Sequence, residues 1–200
     1  MLQGTYVHNS STKCLVAVGS NLESRALGVK ETVGFALELL AAAENVSIVR
    51  RSRFFRTPAF PADSGPDFVN AVVEVETTLP PEALLALLHR IEAEIGRERR
   101  ERWAARVIDL DLLSHGDLIL PDATVLDQWM RMPVEDQRRR VPDRLILPHP
   151  RLQDRAFVLV PLMDFAAEWR HPATGLKVSE MLAALPVGEV SEIVALTGSD

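Results

Sequence analysis

Ten consecutive residues, FVNAVVEVET at 68–77, alternate along their whole length. Val69, Ala71, Val73 and Val75 fall on one side, and Phe68, Asn70, Val72, Glu74 and Glu76 on the other. A period of two is the signature of a strand, because successive side chains leave opposite faces of a sheet. This run therefore fixes one strand, and the rest of the chain is read around it.

Upstream, CLVAV at 14–18 is a short apolar strand broken by Gly19-Ser20-Asn21. Residues 23–43 place Leu27, Val33, Leu37 and Leu40 near helical spacing and predict a helix, weakened at Gly28 and Gly34. Residues 46–55 read as a second strand, and TPAFPADSGP at 57–66 as a stiff Pro/Gly-rich loop. After the strand at 68–77, Pro80-Pro81-Glu82 opens a second helix. Leu84, Leu87, Leu88, Ile91 and Ile95 form its apolar stripe, and Gly96 ends it. VIDLDLLS at 107–114 is the fourth strand. The order strand, helix, strand, strand, helix, strand is a split βαβ. The expected fold class is α+β: a ferredoxin-like βαββαβ core with a mostly antiparallel sheet, helices on one face and a C-terminal extension. In that extension, 153–167 carries a helical stripe interrupted by Pro161, 179–185 a short helix and 189–196 a strand. Residues 1–12 read as a flexible tail and 13–200 as a single domain. Within it, the polar stretch 122–144 is a long excursion that could cap a bound ligand, contact a second subunit or hang in solvent, the last being expected.

The 47% hydrophobic content is ample for a core and argues against disorder. A single cysteine, Cys14, rules out an intramolecular disulfide and reads as a buried structural thiol. No 18-residue apolar run implies a transmembrane helix, and residues 1–13 lack the apolar core of a signal peptide, so a cytoplasmic protein is expected. The net charge of −6 disfavours non-specific nucleic-acid binding and confines any anion site to a local basic patch. Neither GxxxxGK[ST] nor GxGxxG occurs, and structure alone accounts for the Gly-Ser-Asn turn.

That local patch is RERRERWAARVIDLD at 97–111. Asp109 and Asp111 share a strand face about 6.6 Å apart, opposite Ile108, Leu110 and Leu112. Two carboxylates so close repel unless a cation lies between them, and Mg²⁺ suits that role, with one or two carboxylates and phosphate oxygens as ligands. Arg97, Arg99, Arg100, Arg102 and Arg106 precede them, and guanidinium forks match phosphate. Taken singly, an Asp-x-Asp is a solvated pair and an arginine run a solvated loop; together, in an acidic chain, they are the parts that hold a polyphosphate. Asn70, beside the stiff loop, is either a solvated edge residue or a group that reads a ligand's hydrogen-bonding edge.

Five ordered blocks carry a resemblance: VAVGSNL at 16–22, SRFFRTPAF at 52–60, PDFVNAVVEVET at 66–77, RIEAEIGRERRERWAARVIDLDLL at 90–113 and LPHPRLQDRAFVLVPL at 147–162. In these the chain resembles the 6-hydroxymethyl-7,8-dihydropterin pyrophosphokinase family of the folate pathway. The resemblance implies transfer of a diphosphoryl group from ATP to the pterin's hydroxymethyl oxygen, with release of AMP. It implies two Mg²⁺ ions on Asp109 and Asp111, arriving with ATP, and phosphate-facing Arg97 and Arg106 as catalytic groups. Arg99, Arg100 and Trp103 would belong to a catalytic loop and, with Glu92, Arg106, Leu112, Arg144, His149 and Arg155, would bind the nucleotide. Asn70 would read the pterin edge, Phe68 and Phe157 would sandwich its ring, and Thr57, Pro58 and Phe60 would line the pterin side. Arginine at Arg100 replaces a frequent lysine, and His89 stands where glutamine is common. No strong general base stands out in these blocks.

The expected partners are the two small molecules, with no nucleic acid and no membrane. A monomer is expected, with a dimer as the alternative. An RNA-binding ferredoxin-like module is the first rival, but the RNP1 pattern is lacking. A second is another two-metal nucleotidyl transferase, which would release free pyrophosphate. A third is a catalytically silent relative, against which Asp109, Asp111, Arg97 and Arg106 argue.

Overall fold

The structure, a computed structural model, describes residues 10–24, 27–59, 65–96 and 107–197. Its elements in chain order are β1 (Thr12–Ser20), α1 (Val29–Ala42), β2 (Val46–Arg51), β3 (Phe55–Thr57), β4 (Phe68–Thr77), α2 (Pro81–Ile95) and β5 (Asp109–His115). There follow α3 (Ala123–Arg131), α4 (Val134–Arg139), a 3₁₀ turn (Leu152–Asp154), α5 (Ala156–Leu162), α6 (Val178–Ala183), α7 (Val187–Ser191) and β6 (Val194–Ala195). Six strands form one sheet in the order β5-β1-β4-β3-β6, with β2 also paired to β4. Among the described residues every strand pairing is antiparallel.

The alternation at 68–77 is what gives the sheet two buried faces. Val69, Ala71, Val73 and Val75 of β4 join Cys14, Val16 and Val18 of β1 and Leu110 and Leu112 of β5 under α1 and α2. Val72, Leu15 and Leu113 pack on the other face against Leu152, Val158, Leu159, Leu162, Val178 and Met181. Each Val, Leu or Met among them contributes about 1.5–3 kcal/mol when removed from water, so both layers are held by the same force. Helices are therefore not confined to one face. That expectation describes α1 and α2 only, and the C-terminal extension covers the opposite side. Cys14 is fully buried, and burial pushes its thiol up to about 12, which suits a structural role.

α2 begins and ends where its sequence signals lie. Pro80 is the N-cap, Pro81 starts the first turn, and Gly96 closes the helix at φ 104°, a backbone conformation that favours glycine. α1 starts later than residue 23, with Gly28 as its N-cap. The strand expected over 46–55 divides into β2 and β3 at Ser52. There the Ser52 backbone N–H donates to Val72 O (3.0 Å) while its hydroxyl accepts the Val72 N–H (3.0 Å). A side chain thus replaces a backbone carbonyl, and the ladder breaks.

The tail expected at 1–12 lies mostly outside the described residues, and Thr12 already belongs to β1. The 122–144 excursion carries α3 and α4. Asp122 caps α3 by accepting the Val125 N–H (3.0 Å), and Leu126 is fully buried. Its stem is closed by an antiparallel bridge, Leu120↔Leu147. The segment 189–196 is only partly strand, because α7 takes its first half and β6 spans two residues. Arg53 fastens the extension to the β2–β3 hinge through three hydrogen bonds to Asp164, whose carboxyl it holds below the usual range. Among the described residues no helix is long and apolar enough to cross a membrane.

Candidate active site

The register of three strands aligns the site. Gly19 of β1 pairs with Asp109 of β5 on one side and with Asn70 of β4 on the other, and Asn70 pairs in turn with Phe55 of β3. Ala17, two residues back, pairs with Asp111. Since Leu110 and Leu112 face α1 and α2, Asp109 and Asp111 project from the opposite face. Asn70 and Phe68 lie on that same face, as Val69 and Ala71 point away. Strands about 4.8 Å apart put Asp109 and Asn70 roughly 10 Å from each other across the sheet. Between them β1 offers Gly19, with Ala17 beside it, so the floor is low where carboxylates and amide converge.

On the carboxylate side, both aspartates are half-buried and Asp111 Oδ2 accepts from Arg155 Nη1 (3.3 Å). Arg155 precedes α5, and its guanidinium lies 5.4 Å from the centre of the Phe157 ring. One arginine therefore touches both halves of the site. His149 is partly buried and tied down twice. Its backbone N–H donates to Leu113 O (2.8 Å), and its Nδ1 accepts the Arg151 N–H (3.1 Å). Burial first, and the Arg155 charge next, push its pKa down to about 3, against the opposing pull of Asp109. The ring is neutral at pH 7, and with Nδ1 occupied its proton sits on Nε2 as a donor. Glu92 is buried at the end of α2, and its Oε1 accepts the Leu110 N–H (2.8 Å) between the two aspartates. It holds β5 in place from behind.

On the amide side, Asn70 is almost fully buried and its Nδ2 donates to Thr57 Oγ1 (2.7 Å). Thr57 lies diagonally across the β3–β4 ladder and is itself buried. This pair fixes the amide, with Oδ1 turned toward Gly19, where an added Cβ would collide with it. Phe68 is half-exposed at the start of β4, Phe157 packs from α5 on the same face, and Pro58 is exposed at the mouth of the loop.

Of the expected site residues, the structure brings Asp109, Asp111, His149, Arg155, Phe157, Phe68, Asn70 and Thr57 to one face. Leu112 turns its side chain into the core on the other face, so only its backbone can meet a ligand. Arg144 is exposed, with its Nε 3.6 Å from Asp143 Oδ1, and no hydrogen bond among the described residues ties it to the aspartates. Phe60, Arg97, Arg99, Arg100, Trp103 and Arg106 lie outside the described residues. Gly19 is the residue that sequence reasoning missed. Its signal was a glycine ending an apolar strand, and only the cross-strand register tells what it faces.

The donor set fits magnesium. Asp109 and Asp111 offer hard oxygens on an open face, without the closed cage that a fully protein-held ion requires. Among the described residues no group of three or more acids, histidines or cysteines could enclose an ion.

The family model for 7,8-dihydro-6-hydroxymethylpterin-pyrophosphokinase matches residues 15–167. The chain belongs to this family. It is 34% identical over 183 residues to the 2-amino-4-hydroxy-6-hydroxymethyldihydropteridine pyrophosphokinase of Methylorubrum extorquens, covering 91% of this chain and 99% of that one. The protein of the same name from Pseudomonas aeruginosa is 37% identical over 172 residues, covering 86% and 90% respectively. In fold, the family member resembles solved Plasmodium falciparum HPPK-DHPS. The wild-type structure gives a TM-score of 0.60 at 14% identity, over 86% of this chain and 44% of that one. The A437G/K540E form with pterin and p-hydroxybenzoate gives 0.62 at 13%, over 89% and 44%. The chain thus spans less than half of those solved proteins.

Proposed function

We propose that this chain transfers a diphosphoryl group from ATP to the hydroxymethyl oxygen of 6-hydroxymethyl-7,8-dihydropterin. The observation that carries the reading is the row Asp109–Gly19–Asn70, which sets a carboxylate and a ring-reading amide on either side of a low floor. In the reaction the pterin oxygen bonds to the β-phosphorus, the bond from that phosphorus to the α–β bridging oxygen breaks, AMP leaves, and the hydroxyl proton is released. Asp109 and Asp111 would hold Mg²⁺, which when bound supplies charge neutralisation at the phosphate oxygens. Such transfers rest on positioning and charge more than on covalent help from the protein. Arg155 steadies Asp111 and adds positive charge beside the phosphates. Neutral His149 donates from Nε2 without adding to the charge. Arg97, Arg99, Arg100 and Arg106 would face the phosphates by their family positions, with Trp103 on the same loop. Asn70, preset by Thr57, hydrogen-bonds the pterin edge, and Phe68 and Phe157 take its two faces. The strand order, with β5 and β4 on either side of β1, supports a ferredoxin-like core within one domain over 13–200, with 122–144 as its excursion.

The deciding experiment incubates the protein with Mg-ATP and the hydroxymethyl pterin and separates the products. AMP and pterin diphosphate in equal amounts are expected. Free pyrophosphate with a nucleotidylated product would mean nucleotidyl transfer instead, and no turnover with either substrate would refute the reading.

A further inference from the structure

β3 is three residues long, yet it carries Thr57, the acceptor that presets Asn70. A strand so short, paired on one side only, would fray on its open edge. It is not left open. β6 lies along the outer side of β3, with Phe55 opposite Ala195 and Arg56 opposite Val194, and the Leu196 N–H donates to Phe54 O (2.8 Å). The segment that delivers β6 contributes little packing of its own. α7 has no buried residue, and Val187 is 83% exposed. Two anchors follow the strand: Leu196 packs against the α1/α2 core, and Thr197 O accepts from Lys30 Nζ (3.4 Å). The chain thus returns from the far end of the extension to seal one edge of the sheet, and the segment it seals is the one that presets the amide.

We propose that β6 is a positioning strand for pterin recognition. By pairing the outer edge of β3 it holds Thr57 Oγ1 where Asn70 needs it, and so sets the amide before the ring arrives. β4 and β1 lie between β3 and the strand that carries Asp109 and Asp111, so the influence of β6 falls on the pterin rather than on ATP. The inference rests on the pterin reading of Asn70.

The test uses the full chain with two substitutions at one position. Leu196→Pro removes the N–H that Phe54 O accepts, whereas Leu196→Ala keeps it and removes only side-chain packing. A third variant ends the chain after Ile193. For each, the dissociation constant of 6-hydroxymethylpterin is measured by fluorescence with a non-hydrolysable ATP analogue present. The analogue's own affinity, the melting temperature and hydrogen exchange at Phe55, Arg56 and Thr57 are measured alongside. The expected result is pterin binding weakened about tenfold in Leu196→Pro and in the truncation, with nucleotide affinity within twofold and faster exchange in β3. Leu196→Ala should bind pterin within about twofold of the unaltered chain. Unchanged pterin affinity in the proline and truncated forms would overturn the proposal. So would pterin and nucleotide affinities falling together in proportion to melting temperature, or a failure of both forms to fold, since either makes β6 a general support. If the unaltered chain binds no pterin, the functional reading itself fails, which is a different outcome from an unaltered chain that binds while its variants bind equally well.

Discussion

Gly19→Ala separates recognition from folding. An added Cβ would collide with Asn70 Oδ1, and its next nearest atoms are Asn70 Cγ at 3.4 Å and Val69 O at 3.9 Å. One side-chain atom is struck and the backbone is not, so the strand can stay while the amide must turn. Turning it breaks the 2.7 Å bond from Asn70 Nδ2 to Thr57 Oγ1 and leaves a nearly buried amide short of a partner, a cost of about 1–3 kcal/mol. Alanine regains about 0.5–1 kcal/mol over glycine in a strand through the unfolded chain. The net loss of stability is therefore between about 0 and 2.5 kcal/mol, at most several degrees in melting temperature for a chain of this size. Pterin binding should suffer more. If Asn70 reads the ring's polar edge as proposed, removing it from a site that then holds an unpaired group costs about 2–3 kcal/mol, roughly 30- to 150-fold in affinity. The assay is pterin titration by fluorescence, nucleotide titration by calorimetry and a thermal melt on the same preparation. A double-mutant cycle completes it: in an Asn70→Ala background, Gly19→Ala should weaken pterin binding no further, because the struck atom is gone. Additive losses in that cycle would refute the reasoning, as would a Gly19→Ala protein that binds pterin as well as the unaltered chain.

Asp109→Ala and Asp111→Ala should each lower kcat by about 10²–10³-fold while leaving the melting curve close to its original position; turnover at the original rate in either would contradict the metal role proposed for them. Asn70→Ala and Phe157→Ala should raise the KM for pterin by at least tenfold and that for ATP by less than threefold, and equal effects on both substrates would sink the assignment. His171 supplies a pH dependence unconnected with catalysis. It is fully buried, its Nδ1 accepts the N–H groups of Ala173 (3.2 Å) and Thr174 (3.3 Å), and burial holds its pKa down at about 4. The unfolded chain takes up that proton below about pH 6.5 and the folded chain only near 4, so stability is complete above 6.5. It falls as pH drops through the interval, by up to about 1.4 kcal/mol per unit. His171→Asn keeps an acceptor for the two N–H groups and cannot titrate; urea melts at pH 5 and 7.5 should show a smaller acid loss in the variant, and identical losses would discount His171.

What the sequence makes legible is whatever runs along one element. The ten-residue alternation of β4, the proline start and glycine end of α2, and the same-face aspartates of β5 each follow from a local period or a local cap. What it hides runs across elements. Ser52 divides one expected strand into two because its hydroxyl meets Val72, twenty residues away. The second helical layer arises because Leu15, Val72 and Leu113, from three strands, present one apolar face to α5 and α6. The site belongs to this second kind. Asp109, Gly19, Asn70, Phe55 and Ala195 occupy adjacent strands in one row, yet their order in the chain is 19, 55, 70, 109, 195. A period of two tells which face each occupies, but a slip of one residue in any pairing would move a whole strand's side chains to the other face. Gly19 is therefore mute as a letter and decisive as a position: its missing side chain matters only because register sets it between a carboxylate and an amide.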